Sequence, residues 1–499
     1  MIKYIHIYLL YLSSLFAITS LESCIADKND REIIRNQFTF HETIESENFV
    51  IHFTTSSTDS QYVNGQWYNL QSNYSYAQSI IDHAESALSI YINNGWEAPP
   101  PDCDETIIDF NSPNHCVNFG GNSLYDIYIS NDAAGMVVPE NPYPVEPYIG
   151  GMTSFMKIST LLNEYQTIPS WNEHVVAHEL HHSIQLRYGY SVSGSPGNYI
   201  YNGWLFEQTA TYMENVIYPN SMHLRLMLSN CNVVTPLTYP HYNIDYPAEI
   251  YPYRSALWQK FLVESIGDSS IIRYIWEDYG LNYSTGEQVS LFPIYSDAVE
   301  YASNGEKNLT QSYTDYAIWR YFTGERSISN LFFDEASFYC TSSAESIVDT
   351  SFTIQANKGA SIFIEMPSED TDIYVTSDFP NEISLSLVSI NPHNEFDIIA
   401  LNYENNNFIG NLTSSNQNIL IANSKYNNND IEQISFTVFL ESDTIIGDTN
   451  TDGSVDILDV ILVVNQILND DYSNIGDLNS DNSLDVIDIV LLMEIILNY

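Results

Sequence analysis

Positive charge is scarce in this chain. Lys and Arg together number 15 against 64 Asp and Glu, a formal net charge of −49 over 499 residues. A nucleic acid or an anionic membrane surface is held by basic patches, so neither is an expected partner. Cysteine is sparse too: Cys24, Cys103, Cys116, Cys231 and Cys340 are the only five, and none has the spacing of a structural zinc site. Long apolar runs are missing apart from Ile5 to Ile18. That stretch follows Lys3, precedes small residues and is too short for a good membrane span. It has the outline of a secretory signal peptide over residues 1–23, so a secreted protein with no membrane span is expected. Leu21-Glu22-Ser23-Cys24 resembles a lipoprotein cleavage site, which Glu22 fits poorly. Export permits disulfides. Cys103 and Cys116 bracket a short loop with Pro113 and are the favoured pair, while Cys231 and Cys340 either pair or stay free.

What remains is globular in texture. The hydrophobic fraction is 44%, and the length allows two to four domains. Phe49 to Phe53 alternates as a strand. Ala77, Ile80, Ile81, Ala84, Leu88 and Ile92 recur at helical spacing and stop at Gly95. Tyr125 to Ser130 and Gly150 to Ile158 read as further strands. Beyond about residue 335 come short alternating runs: 361–365, 372–375, 383–389, 397–401, 419–422 and 434–440. Asn, Ser, Gly and Pro turns separate them at β-sandwich spacing.

The stretch His178-Glu179-Leu180-His181-His182 carries the most chemistry. On a helix, His178 and His182 stand one turn apart on one face, where two imidazoles can share a zinc ion. The glutamate between them can polarise a bound water. His174 is too far along the helix to join the same ion, and His181 points off that face. Trp204-Leu205-Phe206-Glu207-Gln208-Thr209-Ala210-Thr211-Tyr212-Met213-Glu214 reads as a second helix. Glu207, Ala210, Thr211 and Glu214 share a face of it. Glu207 is placed to be a third ligand that leaves one position open, as catalytic zinc requires. Glu214 can accept the free ring N–H of a ligating histidine.

Here the chain resembles the gluzincin metallopeptidases, whose third ligand is a glutamate on a second helix. In order of features it is most similar to secreted bacterial metalloproteases of the myxobacterial type. Two departures stand out: the clan's glycine after the third ligand is Gln208, and the spacer before Glu207 is longer. The resemblance implies a zincin-like α+β domain over residues 24–334 and one catalytic zinc held by His178, His182 and Glu207. It also implies Glu179 as general base and Tyr253, in Pro252-Tyr253 before a helix from Ala256 to Val263, as oxyanion donor. In that clan a strand placed like 150–158 forms the edge along which an extended peptide lies. No glutamate stands beside Gly151-Met152-Thr153-Ser154 to hold a free amine, so an endopeptidase acting on protein or peptide is expected rather than an aminopeptidase.

The C-terminal stretch repeats itself with period 29. Asp448, Asn450, Asp452, Ser454, Asp456 and Asp459 recur as Asp477, Asn479, Asp481, Ser483, Asp485 and Asp488. Oxygen side chains at loop positions 1, 3, 5, 9 and 12 can surround calcium. Each loop runs into an apolar helix, 460–468 and 489–497. Asp at position 12 and the lack of a leading helix resemble a type I dockerin. That resemblance implies two calcium ions and, in some proteins, a cohesin-type partner. The full expectation is multidomain: signal 1–23, metallopeptidase 24–334, all-β sandwich 335–443 and a small α-helical dockerin 444–499. A rival reading is a docking or adhesion protein whose metallopeptidase domain no longer cuts.

Overall fold

The computed structural model describes residues 40–499 apart from 64–65, 102, 104–120, 132–133, 161–170, 191–202, 221, 247–249, 285–288, 347–350, 405, 426–432, 443–446, 451–453, 470, 474, 480, 482 and 499. The chain is mixed α/β with several sheets. It divides into two compact units. One is Met1–Ser343 with Asn357–Ile362 and Asn423–Glu432. The other is Ala344–Ala356, Phe363–Ala422 and Gln433–Tyr499. The first unit therefore runs past residue 334, where its end was expected. Cys340 belongs to it and forms a disulfide with Cys231, closing a sequence separation of 109 residues. The favoured Cys103–Cys116 pair involves residue 116, which lies outside the described residues, as do the signal-peptide residues and Cys24.

The first unit opens with β1 (Glu42–Glu45), β2 (Phe49–Phe53), a hairpin of β3 (Ser60–Val63) and β4 (Gln66–Asn69), and α1 (Tyr74–Asn93). Then come β5 (Tyr125–Ile129), β6 (Gly135–Pro142), β7 (Met152–Ile158), α2 (Trp171–Gln185) and α3 (Gly203–Ile217). Helices α4 (His223–Ser229), α5 (Tyr251–Arg254), α6 (Ala256–Ile266), α7 (Ile271–Leu281), α8 (Leu291–Ala302) and α9 (Leu309–Tyr321) complete it. Asn73 starts α1 by accepting the Tyr76 N–H at 2.9 Å. Ala77, Ile80, Ile81, Ala84 and Leu88 are buried along one face, whereas Ile92 is half exposed.

A five-stranded sheet in the order β1-β2-β5-β7-β6 forms the floor of this unit. Its inner strands β2, β5 and β7 are parallel and buried along their length, as parallel strands with helices above them are. The strand expected at the edge, 150–158, is therefore interior. The preceding strand β6 pairs antiparallel with it and takes the edge instead. β6 carries Pro139 and Pro142, which lack an N–H for a further neighbour and suit an outer strand, and the chain doubles back between residues 142 and 152 to pair it with β7.

The second unit contains short strands from β8 (Glu345–Ser346) to β17 (Gln433–Ser442). One five-stranded sheet has the order β13 (Phe396–Ala400), β12 (Ile383–Ile390), β16 (Gln417–Ser424), β10 (Ser361–Met366), β8. The other has the order β14 (Tyr403–Glu404), β15 (Asn407–Leu412), β11 (Thr371–Ser377), β17, β9 (Ser351–Asn357). All six strands expected from alternation are present. Helices α10 (Ile457–Leu468) and α11 (Val486–Asn498) follow. They pack through Val460, Val463 and Leu492.

Candidate metal centre

Helix α2 lies over β6 and β7, and α3 lies against α2. His174 and residues 175–185 are buried throughout, so this is an interior helix rather than an amphipathic one. A polar motif inside such a helix must find partners there, and it does. His178 Nε2 and His182 Nε2 are 3.1 Å apart, and each is 3.2 Å from Glu207 Oε2 on α3. Among the described residues this is the one group of three such side chains whose ligand atoms gather, within 4.8 Å of one another, so that they can hold a metal ion.

The other side of each imidazole is engaged as well. Glu214, on the same face of α3 as Glu207, accepts a hydrogen bond from His178 Nδ1 at 2.8 Å. Burial raises the pKa of this carboxyl. The imidazole of His223 and the bonds from His178 and His223 more than offset that and bring it down to about 2. Glu214 is thus an anion and an acceptor. His182 Nδ1 lies 2.7 Å from Gln185 Oε1, while the Gln185 amide donates to Phe206 O at 3.1 Å. That second bond leaves the Gln185 carbonyl facing His182. Both rings therefore carry their proton on Nδ1 and turn a bare Nε2 lone pair inward. The Glu207 carboxylate, itself buried, faces both of these nitrogens.

Glu179 is buried on the sheet side of α2. It lies directly above the edge strand. A Cβ placed on Gly135 would sit 2.6 Å from Glu179 Cγ and Oε1. Only glycine at that point of β6 leaves room for the carboxylate. Tyr253, on the short helix α5, lies flat against His178, with ring centroids 5.6 Å apart and planes 12° apart. Gln208, the residue that departs from the gluzincin pattern, turns away from the metal ligands. Its amide donates to Ser255 Oγ at 2.9 Å and its carbonyl accepts from Gln259 at 2.8 Å. It ties α3 to the start of α6, two residues after Tyr253.

The two other histidines of α2 have packing roles. His181 is fully buried between Tyr91 and Trp96, and burial pushes its ring well below the ordinary imidazole value, so it is neutral. His174 stacks on His223, 5.9 Å between centroids, and not on a metal ligand. Two participants were missed in the sequence. Gln185 stands three residues after His182, a spacing that could have suggested it. His223 carries no local signal at all.

The repeat loops are organised differently. Asp459 and Asp488 are fully buried. Asp459 accepts the N–H groups of Asn450 and Asp456 at 2.9 and 2.8 Å. Asp488 accepts those of Leu478 and Asp485, both at 2.9 Å. Asp456 and Asp485 cap their helices through Leu458 and Ile487 N–H, both at 2.7 Å. Asp448 and Asp477 are buried at the loop starts, and Asn450, Ser454, Asn479, Asp481 and Ser483 lie outside them. Asp452 falls outside the described residues. Among the described residues, the acids of these loops form no group whose ligand atoms gather as the three on α2 and α3 do; Asp459 and Asp488 spend their lone pairs on backbone donors.

Residues 152–283 match the model of a family of unknown function, DUF6055. That span contains α2, α3, α5 and every residue of the metal centre. No curated protein matches. Among solved structures, a periplasmic inhibitor of g-type lysozyme from Aeromonas hydrophila is similar over 20% of this chain and 96% of its own, at 10% identity and a TM-score of 0.15. The pre-peptidase C-terminal domain of a collagenase from Bacillus anthracis is similar over 20% of this chain and 95% of its own, at 14% identity and a TM-score of 0.16. Likeness at that level says nothing about what this chain does.

Proposed function

We propose that this chain is an exported zinc-dependent endopeptidase of the gluzincin kind with a C-terminal calcium-binding docking module. One observation carries the reading. Two bare imidazole lone pairs and a carboxylate oxygen face one another at 3.1–3.2 Å in a buried site. Three electron-rich atoms so placed repel unless a cation lies between them. Tetrahedral zinc with bonds of about 2.0–2.1 Å separates its ligands by roughly 3.3 Å, close to these distances. The two-nitrogen, one-oxygen donor set also suits zinc better than calcium, which prefers oxygen.

Bound there, zinc would supply Lewis acidity toward a carbonyl and lower the pKa of a bound water. The chain's own residues do the rest. Glu179 accepts a proton from the attacking water and returns it to the leaving amine. Tyr253 donates to the oxygen that becomes negative as the carbonyl is attacked. The edge strand β6, which passes beneath Glu179, offers backbone donors and acceptors to an extended peptide. The alternative of an inactive relative rested on Gln208 and the long spacer. The contacts of Gln208 with Ser255 and Gln259 account for the first of these without involving the metal.

For the C-terminal module, the support is the repeat and its exposed faces. Ile457, Leu458 and Ile461 on α10, and Val486, Ile487 and Val490 on α11, are each more than half exposed. The apolar pairs at loop positions 10 and 11 are thus available to a cohesin-type partner. No helix among the described residues is long and apolar enough to cross a membrane.

The test is cleavage of a denatured protein by the full chain, with Glu179→Ala as the pair and bound zinc measured in both. Cleavage that disappears in the variant, with zinc retained, is the expected result. A wild type that binds zinc and cuts nothing would leave the docking reading in its place.

A further inference from the structure

His223 stands outside every motif, yet its Nδ1 lies 2.6 Å from Glu214 Oε2, while the other oxygen of the same carboxylate accepts from His178 Nδ1. From the distance and burial of this pair, we infer that His223 is a positioning residue for the metal: it holds Glu214, and through it His178, in the ligating geometry. The inference rests on the metal-binding part of the function proposed above.

Glu214 is 2% exposed, and each of its two oxygens lies within hydrogen-bond distance of one ring nitrogen. A buried carboxylate with one oxygen satisfied and the other bare is costly and free to rotate about its terminal torsion. His223 removes that freedom, because the two ring N–H groups clamp the carboxylate from opposite sides. Its own ring is held in turn. Trp171 meets it edge-on at 5.2 Å, and His174 stacks on its other side, 18° from parallel. Trp171 and His174 belong to the first turn of α2, the helix that carries His178 and His182. The clamp therefore closes on itself, running from α2 through His223 at the start of α4 to Glu214 on α3, then back to α2 through His178. His174 reaches the metal site at two removes, as a wall for the His223 ring. His223 is also a fifth exposed, so its replacement opens no large cavity.

The measurement is zinc affinity of the full chain by competition with a chromophoric chelator, with the visible spectrum of the cobalt-substituted protein as a second readout. His223→Ala is expected to weaken zinc binding about tenfold, the lower end of what removing an outer partner of a ligating histidine costs, and to alter the cobalt bands. His223→Asn places an amide N–H near the former Nδ1 and should recover most of the affinity. A general loss of structure would not be reversed in this way. His223→Gln, whose donor lies farther out, should behave like Ala and serves in its place if Ala does not fold. Zinc binding in either of these as tight as in wild type, or an Asn variant no better than Ala, overturns the inference. A wild type that binds neither zinc nor cobalt overturns the metal reading itself, a result distinct from a wild type that binds and variants that do not differ.

Discussion

The metal centre on α2 and α3 and the repeat loops before α10 and α11 are two opposite ways of arranging charged side chains. The centre is buried and is assembled from distant parts of the chain: His178 and Glu207 are 29 residues apart, and Glu214 and His178 are 36 apart. Glu207 and Glu214 each face two imidazoles, His178 and His182 for the first and His178 and His223 for the second. The loops lie within a dozen residues of sequence each, are largely exposed, and contain no histidine or basic residue. Asp459 and Asp488, the two fully buried acids, accept from backbone N–H groups of the same loop. The packed core fixes the first arrangement, whereas the second depends on local turns, and mutual repulsion of carboxylates works against it. The first should therefore survive removal of its ion and the second should not.

The largest expected effect follows directly. Chelation of calcium should abolish most of the helicity of residues 444–499, because an acidic loop of this kind folds with its ion. The same chelation should leave the thermal transition of the first unit in place. A circular dichroism spectrum of that segment indifferent to calcium would erase the contrast. Next in size, Tyr253→Phe should lower kcat on a peptide by about 10²–10³-fold, the effect of one lost oxyanion donor, with zinc content unchanged. An unaltered kcat would leave Tyr253 as a stacking partner of His178 and nothing more.

Gly135→Ala sharpens the comparison further, since it perturbs the centre from the sheet side without touching any ligand. The added methyl must displace the Glu179 carboxylate. A shift of about 1 Å should reduce kcat by roughly 10²-fold, while zinc binding stays. Full activity in this variant would mean that Glu179 has room elsewhere. Smallest is Gln208→Ala. It removes a buried amide from between Ser255 and Gln259 and should cost about 1–3 kcal/mol of stability, seen as a lower Tm with zinc retained. A loss of zinc instead would show that Gln208 acts on the metal after all.

Much of this was legible before folding, for physical reasons that differ by element. The one-turn spacing of His178 and His182 is a property of any α-helix, and the period of 29 in the C-terminal loops is a property of the string itself. The short strands of the second unit announce themselves because alternate residues face opposite sides. The edge of the first sheet was misplaced because Gly135–Pro142, broken by two prolines, carries no alternating strand signal, and the resemblance placed the edge at 150–158 instead. The Cys231–Cys340 bond was left open because its sequence separation of 109 residues gives no hint of proximity.

The sequence alone determined which residue types meet at the metal centre and on which helix faces they stand, since helical periodicity is local. Only the tertiary structure decided the rest. It placed Gly135 under Glu179, turned Gln208 toward Ser255, and brought Gln185 and His223 behind the ligating rings. Those placements depend on how helices pack on a sheet and on one another, and a buried polar atom takes whichever partner that packing delivers.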